Sequence, residues 1–421
     1  SSHWYNRIEE LNNYAFKLYS DWTPDLSTQF SLTYIDNPTT QASYGDFGDV
    51  TVFAESGDIA FGSDYSRHSN DLRKKTFIMA LDADYLLGDH SITAGYQYKS
   101  LDIFNLFLQR TKGEYRFDSI ADFENRQASY LRYQNATSLD ANDAAASFVR
   151  DEHAFYINDS WAFNESLTFD FGIRYEMLSS SDKPKLNDQM EARTGYDNSE
   201  NLDGTGIVLP RFGFMWDATE DLVVRGGFGR FSGGQPTVWV SNSYSNPGVG
   251  IGEVTERDAA DLANISIDQI PQAILDTVAG STRYASTNFT DPNFKLPSDW
   301  RYQIAADYRF DIPSFADNVL WTTEFLYKKP ENTAFWVDAS LDSDDVAGTT
   351  SDGGRTIYND DDGSTYDLML TNADKEGRSK VFSTMLSKAW DNGIRVTTSY
   401  TNQDITDAHT STSSTASSNF R

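Results

Sequence analysis

The stretch "DSWAFNESLTFDFGIRYE", residues 159–176, alternates strictly from Leu167 onward. Leu167, Phe169, Phe171, Ile173 and Tyr175 take one side, while Thr168, Asp170, Gly172, Arg174 and Glu176 take the other. A period of two marks a β-strand, and this one has an apolar face and a charged face. The same alternation recurs in pairs of segments separated by a short joint. "NYAFKLYSDW" is followed by "LSTQFSLTYI" across Thr23, Pro24 and Asp25, and "TFIMALDADYLL" by "HSITAGYQYKS" across Gly88 and Asp89. "HAFYINDSW" leads through "AFNES" into "LTFDFGIRYE", and "RFGFMW" through "DATED" into "LVVRGGFGRF". The last two pairs are "WRYQIAADYRF" with "VLWTTEFLYKK" across "DIPSFADN", and "KVFSTMLSKAW" with "IRVTTSYTNQ" across "DNG". Each joint holds the Pro, Gly, Asn or Asp that a tight turn requires, so the pattern predicts six antiparallel hairpins.

Between hairpins the chain runs for tens of residues rich in Asp, Asn, Ser, Thr and Gly, at about 37–73, 102–152, 178–209, 234–298 and 330–378. Loops of that length are uncommon inside a compact soluble domain. Tight turns at one rim and long loops at the other are how outer-membrane barrels are built, and about ten residues let a tilted strand cross a bilayer. Trp22, Trp161, Trp216 and Trp390 each end the first strand of a pair, with Tyr85 and Phe310 in the matching places of the other two. Rings recurring at one depth form a girdle, where an amphipathic ring sits at headgroup level. A charge facing lipid at mid-membrane costs about 2–4 kcal/mol, so the apolar faces should meet lipid and the face of Asp170, Arg174 and Glu176 should line the interior. The expected fold is all-β, an antiparallel transmembrane β-barrel with about 12 strands in this chain and long extracellular loops. Short helices are expected within those loops at "FDSIADFEN", 117–125, capped by Ser119, and at "ISIDQIPQAILDTV", 265–278, with Pro271 near its start.

Composition narrows the chemistry. The chain has 421 residues, 39% hydrophobic and 14% aromatic, with a mean hydropathy of −0.55. No apolar run approaches the roughly 18 residues of a membrane-spanning helix, whereas a barrel needs lipid-facing residues only at every second position. The formal net charge of −29 argues against nucleic acid, whose phosphates require a basic surface, and favours cations or basic ligands near the acidic segments. The absence of cysteine removes disulfides, thiol nucleophiles and Cys-bound metals together. His3, His68, His90, His153 and His409 are scattered, and no H-E-x-x-H, G-x-S-x-G or P-loop pattern occurs. No catalytic residue is assigned, and the chain is read as not an enzyme. "GGFGRFSGG", 226–234, fails the spacing of a nucleotide loop, so its small residues, inside a barrel strand, are read as permitting a bend or a close approach by an interior plug. The loop from Pro330 to Arg378 carries "DSDDVAG" and "NDDDGSTYD", which makes calcium among the acids of 342–367 a candidate. Tyr358 stands where the first Asp of an EF-hand would be, and a solvated acidic loop is the simpler account.

In their order and spacing, "YRFDSIADFEN", "EHAFYINDSWAFNESLTFDFGIRYE", "LPRFGFMWDATEDLVVRGGFGRFSGGQPTVWVSNSYSNPGV", "LPSDWRYQIAADYRF", "TNADKEGRSKVFSTMLSKAWDNG" and "SSTASSNF" resemble the barrel of TonB-dependent receptors, most closely the Oar-like branch. The resemblance runs from about Thr76 to the end, and residues 1–75 match by strand pattern only. It implies a barrel of about 22 strands in the outer membrane of a Gram-negative bacterium, its lumen filled by an N-terminal plug. It further implies a scarce or bulky extracellular ligand, whether siderophore, cobalamin, glycan, peptide or protein, imported when the TonB–ExbB–ExbD complex of the inner membrane pulls on the plug; the long loops favour a large one, read here as a peptide or polysaccharide. The chain opens at "SSHWYNRIEE" without an initiating Met and stops at "TASSNFR", so residues 1–421 are read as a fragment of such a barrel, without the plug and the final strands. The ligand-binding residues are not assigned.

Two rival readings are a passive outer-membrane porin, with an open lumen and a size cut-off, and a soluble all-β adhesion or binding module such as a propeller. The propeller requires blades of fixed period, which these unequal connections lack. A barrel is expected to need detergent for extraction and to change its gel mobility on heating, whereas a soluble module stays in the aqueous fraction and shows no such shift.

Overall fold

All six hairpins form. The structure, a computed structural model, describes residues 3–233, 236–281, 286–314, 316–341, 346–352, 354, 356–359, 366–409 and 411–420. The first three hairpins join Asn12–Asp21 to Leu26–Ser43, Ser69–Leu87 to His90–Leu108, and Ala146–Asn164 to Leu167–Ser179. The other three join Gly206–Thr219 to Leu222–Ser232, Ser298–Ile312 to Ala316–Glu331, and Arg378–Ala389 to Arg395–Thr406. Neighbouring hairpins pair antiparallel in chain order into one sheet. Tyr5–Glu9 and Asn12–Asp21 pair end to end with the same strand, Leu26–Ser43, so the sheet is twelve strands wide. Among the described residues, the outer edges of the first and last strands are unpaired.

The strands are longer than the ten or so residues expected. Ser69–Leu87 and His90–Leu108 have 19 residues each, and the long connections shrink to 44–68, 109–145, 180–205, 233–297 and 332–377. The reason lies in what covers the added length. Leu101, Ile103 and Phe148 point inward by register, yet they are buried under the helix Thr237–Ser245, whose Tyr244 stacks on Phe148 at 4.3 Å. Beyond the lipid zone both faces can therefore be apolar, and the period-two signal fades. At the opposite, tight-turn end, Trp161 and Trp216 stand three residues inside their strands, which end at Asn164 and Thr219.

Register settles which face is which. Phe171, Phe212, Phe228, Tyr302 and Tyr327 form one row across five strands, with adjacent ring centroids 5.5–6.2 Å apart. Among the described residues nothing covers this belt: Phe171, Phe228 and Tyr302 remain 42–46% exposed. The opposite face carries Arg174 paired with Glu176 at 2.7 Å, Arg225 paired with Asp307, and Arg301 paired with Asp299 at 2.5 Å. Loops fold onto this charged face, which makes it the inside. Asp159 stands on the outward row beside Trp161, where His90 Nδ1 meets its carboxylate at 2.7 Å and the imidazole stacks on the indole at 5.3 Å.

The face assignment has a direct consequence for charge tolerance. Phe171→Arg should destabilise the barrel by about 2–4 kcal/mol in phospholipid vesicles, whereas Ser160→Arg, facing inward opposite Asp170, should cost under about 1 kcal/mol. Denaturant unfolding in vesicles reads both, and equal effects would reverse the assignment.

Candidate functional site

Midway along the wall, the inward face drops into a hollow of about 590 Å³. Its floor is bare backbone at Gly213, Gly227 and Gly229 of the fourth hairpin. Gly227 also serves the sheet itself, since a Cβ there would run into the Phe212 carbonyl oxygen. The close approach here is to the neighbouring strand. Around the floor stand Asn158, Asp170, Arg211, Arg225, Arg301, Gln303 and Glu324. Most of these are already engaged: Arg225 with Asp307, Arg301 with Asp299, and Gln303 Nε2 donating to Glu324 at 3.1 Å. Arg211 and Asp170 differ, having no ion-pair partner among the described residues. The Arg211 guanidinium lies over the Phe231 ring at 4.7 Å, and Arg301 approaches the same ring at 4.8 Å. Asp170 pairs across strands with Gly213, two residues from Arg211, so the free cation and free anion are diagonal neighbours about 7–8 Å apart at the backbone. The hollow can accept a charged or hydrogen-bonding group. It places no nucleophile beside a base.

At the other end of the long strands, the connections condense into a folded roof. Three of them contribute to one five-stranded sheet, in the order Ile251–Glu256, Tyr130–Ala136, Glu114–Phe117, Asp49–Val52, Ile59–Gly62. Val50, Tyr115, Phe117, Leu131, Leu262 and Val278 form its core, at 0–1% exposure. A second core gathers Leu178, Leu209, Val240, Trp336, Leu370 and Ala416 around the three-stranded sheet of Thr287–Thr290, Asp367–Asn372 and Ala334–Asp338. The third connection is pinned to the fifth by Arg193, whose guanidinium grips the fully buried Asp367 at 2.9–3.2 Å. Burial also raises the Asp338 carboxyl above its usual range. The roof is a packed, hydrogen-bonded surface, although no regularity in its sequence announced it.

The expected helices are partly present. Ile120–Glu124 forms with Ser119 as its cap, Oγ accepting from Asp122 N at 3.0 Å. The second helix spans only Gln272–Ala279. Residues ahead of Pro271 bond elsewhere, with Ile265 N donating to the Arg126 carbonyl and Ile267 O accepting from Gly48 N, and the residue before a proline is disfavoured in a helix. The helix Thr237–Ser245 was not read from sequence, since its buried and exposed positions do not segregate to one stripe. Of the acidic stretch 342–367 proposed for calcium, residues 342–345, 353, 355 and 360–365 lie outside the described residues. Among the described residues no group of three or more His, Asp or Glu could hold a metal ion.

A sheet greasy on one face and charged on the other, with tight turns at one rim and folded loops at the other, defines the wall of a membrane-spanning β-barrel. The chain belongs to the outer membrane beta barrel domain family, whose model matches residues 5–420, and its place is the outer membrane of a Gram-negative bacterium. Among solved structures it is similar to the outer membrane transporter YddB from Escherichia coli, at 12% identity and a TM-score of 0.51, over 94% of this chain and 43% of that one. It is also similar to a mutant of the ferric enterobactin receptor PfeA from Pseudomonas aeruginosa, at 9% identity and a TM-score of 0.52, again over 94% and 43%. At these identities the likeness is one of fold, and the chain spans less than half the length of either relative. No curated protein matches the sequence.

One histidine makes the roof sensitive to acid. His68 Nδ1 accepts the Lys112 backbone N–H at 3.1 Å and Nε2 donates to the Ser63 carbonyl at 3.2 Å, an arrangement open only to neutral imidazole. Burial, with Lys112 and Arg110 nearby, pushes its pKa down to about 4. The unfolded chain therefore takes up this proton first. The contribution is whole above pH 6.5 and is lost as pH falls toward 4, by about 3 kcal/mol in all. The stability gap between the wild type and His68→Gln should shrink across that window, and a constant gap in denaturant midpoints would remove His68 from the account.

Proposed function

We propose that the chain is a barrel segment of a TonB-dependent receptor of the Oar-like branch, which binds a bulky peptide or polysaccharide on the roof and imports it with inner-membrane energy. The observation that carries this reading is the roof itself. Long connections that share two hydrophobic cores, with a helix leaning over the inward face, form a binding platform, whereas a passive pore is served by an open mouth. The polar hollow below adds charged wall along the path inward. The outer edges, unpaired among the described residues, cannot remain bare in lipid, so further strands are needed to close the barrel, and this chain covers only 43% of YddB and of PfeA. Energy coupling would run through a plug and the TonB–ExbB–ExbD complex, both outside these 421 residues.

In cells making the full-length receptor, uptake of a labelled peptide or polysaccharide should saturate and should stop when TonB is deleted. Unsaturable uptake with a size cut-off and no dependence on TonB would mean a passive porin. Saturable binding of a small iron chelate alone would leave the receptor standing and overturn the bulky ligand.

A further inference from the structure

On the lipid-facing side, away from any route through the lumen, the fifth and sixth hairpins enclose a slot of about 450 Å³. Register sets Tyr308, Trp321 and Leu386 in one outward row. Phe310 stacks on Tyr308 at 5.7 Å, and Tyr400 of the last strand closes the far side. The Trp321 indole N–H is already donated to Thr384 Oγ1 at 2.7 Å. The lining is mainly ring and aliphatic surface, with the hydroxyls of Thr384, Thr398 and Ser399 beside it and the indole donor satisfied.

The rim of the slot has the opposite character. Two residues past Leu386 on the same face, about 7 Å along the strand toward the tight turn, stands Lys388. Its Nζ lies 5.9 Å from the Trp390 ring centroid and 2.8 Å from Asp317. The Asp317 side chain is 84% exposed, so this ion pair is solvated and weak, while the Lys388 side chain is only 11% exposed and held in place. Phe310 and Trp390 belong to the aromatic girdle, which sets the rim at headgroup depth. A hydrocarbon slot with a fixed ammonium at headgroup level matches the polarity of a phospholipid end to end. Free phosphate has no use for the slot, and a water-soluble apolar ligand does not reach a face turned to lipid.

We infer that this slot is a binding site for a glycerophospholipid of the leaflet on the tight-turn side, with an acyl chain between Tyr308, Trp321, Leu386 and Tyr400 and the phosphate on Lys388. The site is independent of the ligand that the receptor carries.

The test is native mass spectrometry of the full-length receptor released from detergent micelles doped with phosphatidylglycerol. The wild type should retain one phospholipid. Lys388→Gln should lower retention about tenfold. Leu386→Trp should abolish it by filling the slot, while Phe171→Trp, on the same lipid face but elsewhere, should bind as the wild type does. Heat-shifted gel mobility confirms that each variant is folded, and if Leu386→Trp fails to fold, Lys388→Gln decides alone. Equal retention by Lys388→Gln and the wild type, equal loss in Phe171→Trp, or displacement of the lipid by glycerol phosphate would each overturn the inference.

Discussion

Hydrocarbon offers no partner to a backbone N–H or carbonyl, and every other feature of this chain follows from that. Within the bilayer each strand must spend its hydrogen bonds on its neighbours, which produces a continuous antiparallel ladder from Asn12–Asp21 to Arg395–Thr406. With the backbone committed, only side chains distinguish the two faces. The belt from Phe171 to Tyr327 faces outward because rings can be left uncovered in lipid, and the arginines and carboxylates face inward because they cannot.

The same constraint explains why the hydrophobic cores are not in the wall. A single sheet between lipid and lumen has no second layer to bury against, so its apolar residues remain about half exposed. Burial of large side chains into shared cores becomes available where the strands leave the membrane and their connections can stack on one another. Fully buried Val50, Tyr115, Leu131, Trp336 and Leu370 all lie in the roof. Polar links complete it: the fork of Arg193 on Asp367, and Asn187, which caps Asp188–Thr194 while donating to Thr287 Oγ1 at 3.0 Å. Removing a partner from such a link would strand a buried polar group, which is what holds the separate connections in one arrangement.

Within the wall, the departures from regular alternation mark the places where something other than lipid or water is met. Glycines at 213, 227 and 229 strip side chains from the inward face and leave Arg211 and Asp170 beside bare backbone, without an ion-pair partner among the described residues. On the outside, the aromatic belt opens into the slot beneath Lys388. Both features arise from side chains on different hairpins meeting by register, in a framework that is otherwise repetitive.

The hairpins, their order and the direction of each face could be read from the chain because their causes are local. A period of two, a turn residue and a ring at the strand end act within about ten residues. Leu167 to Glu176 declared its two faces, and Ser119 its helix, without reference to anything distant. The strand extensions were hidden, because Leu101 and Phe148 look misplaced until the helix Thr237–Ser245 is seen to cover them. Likewise, nothing near Arg211 shows that it lacks an acid, and nothing near Lys388 shows that Phe310 and Tyr400 flank a slot beside it. The sequence by itself therefore determined the wall, whose interactions join neighbours in the chain. Only the tertiary structure decided the roof, the hollow and the slot, because each depends on residues that register and burial bring together from hairpins and loops far apart.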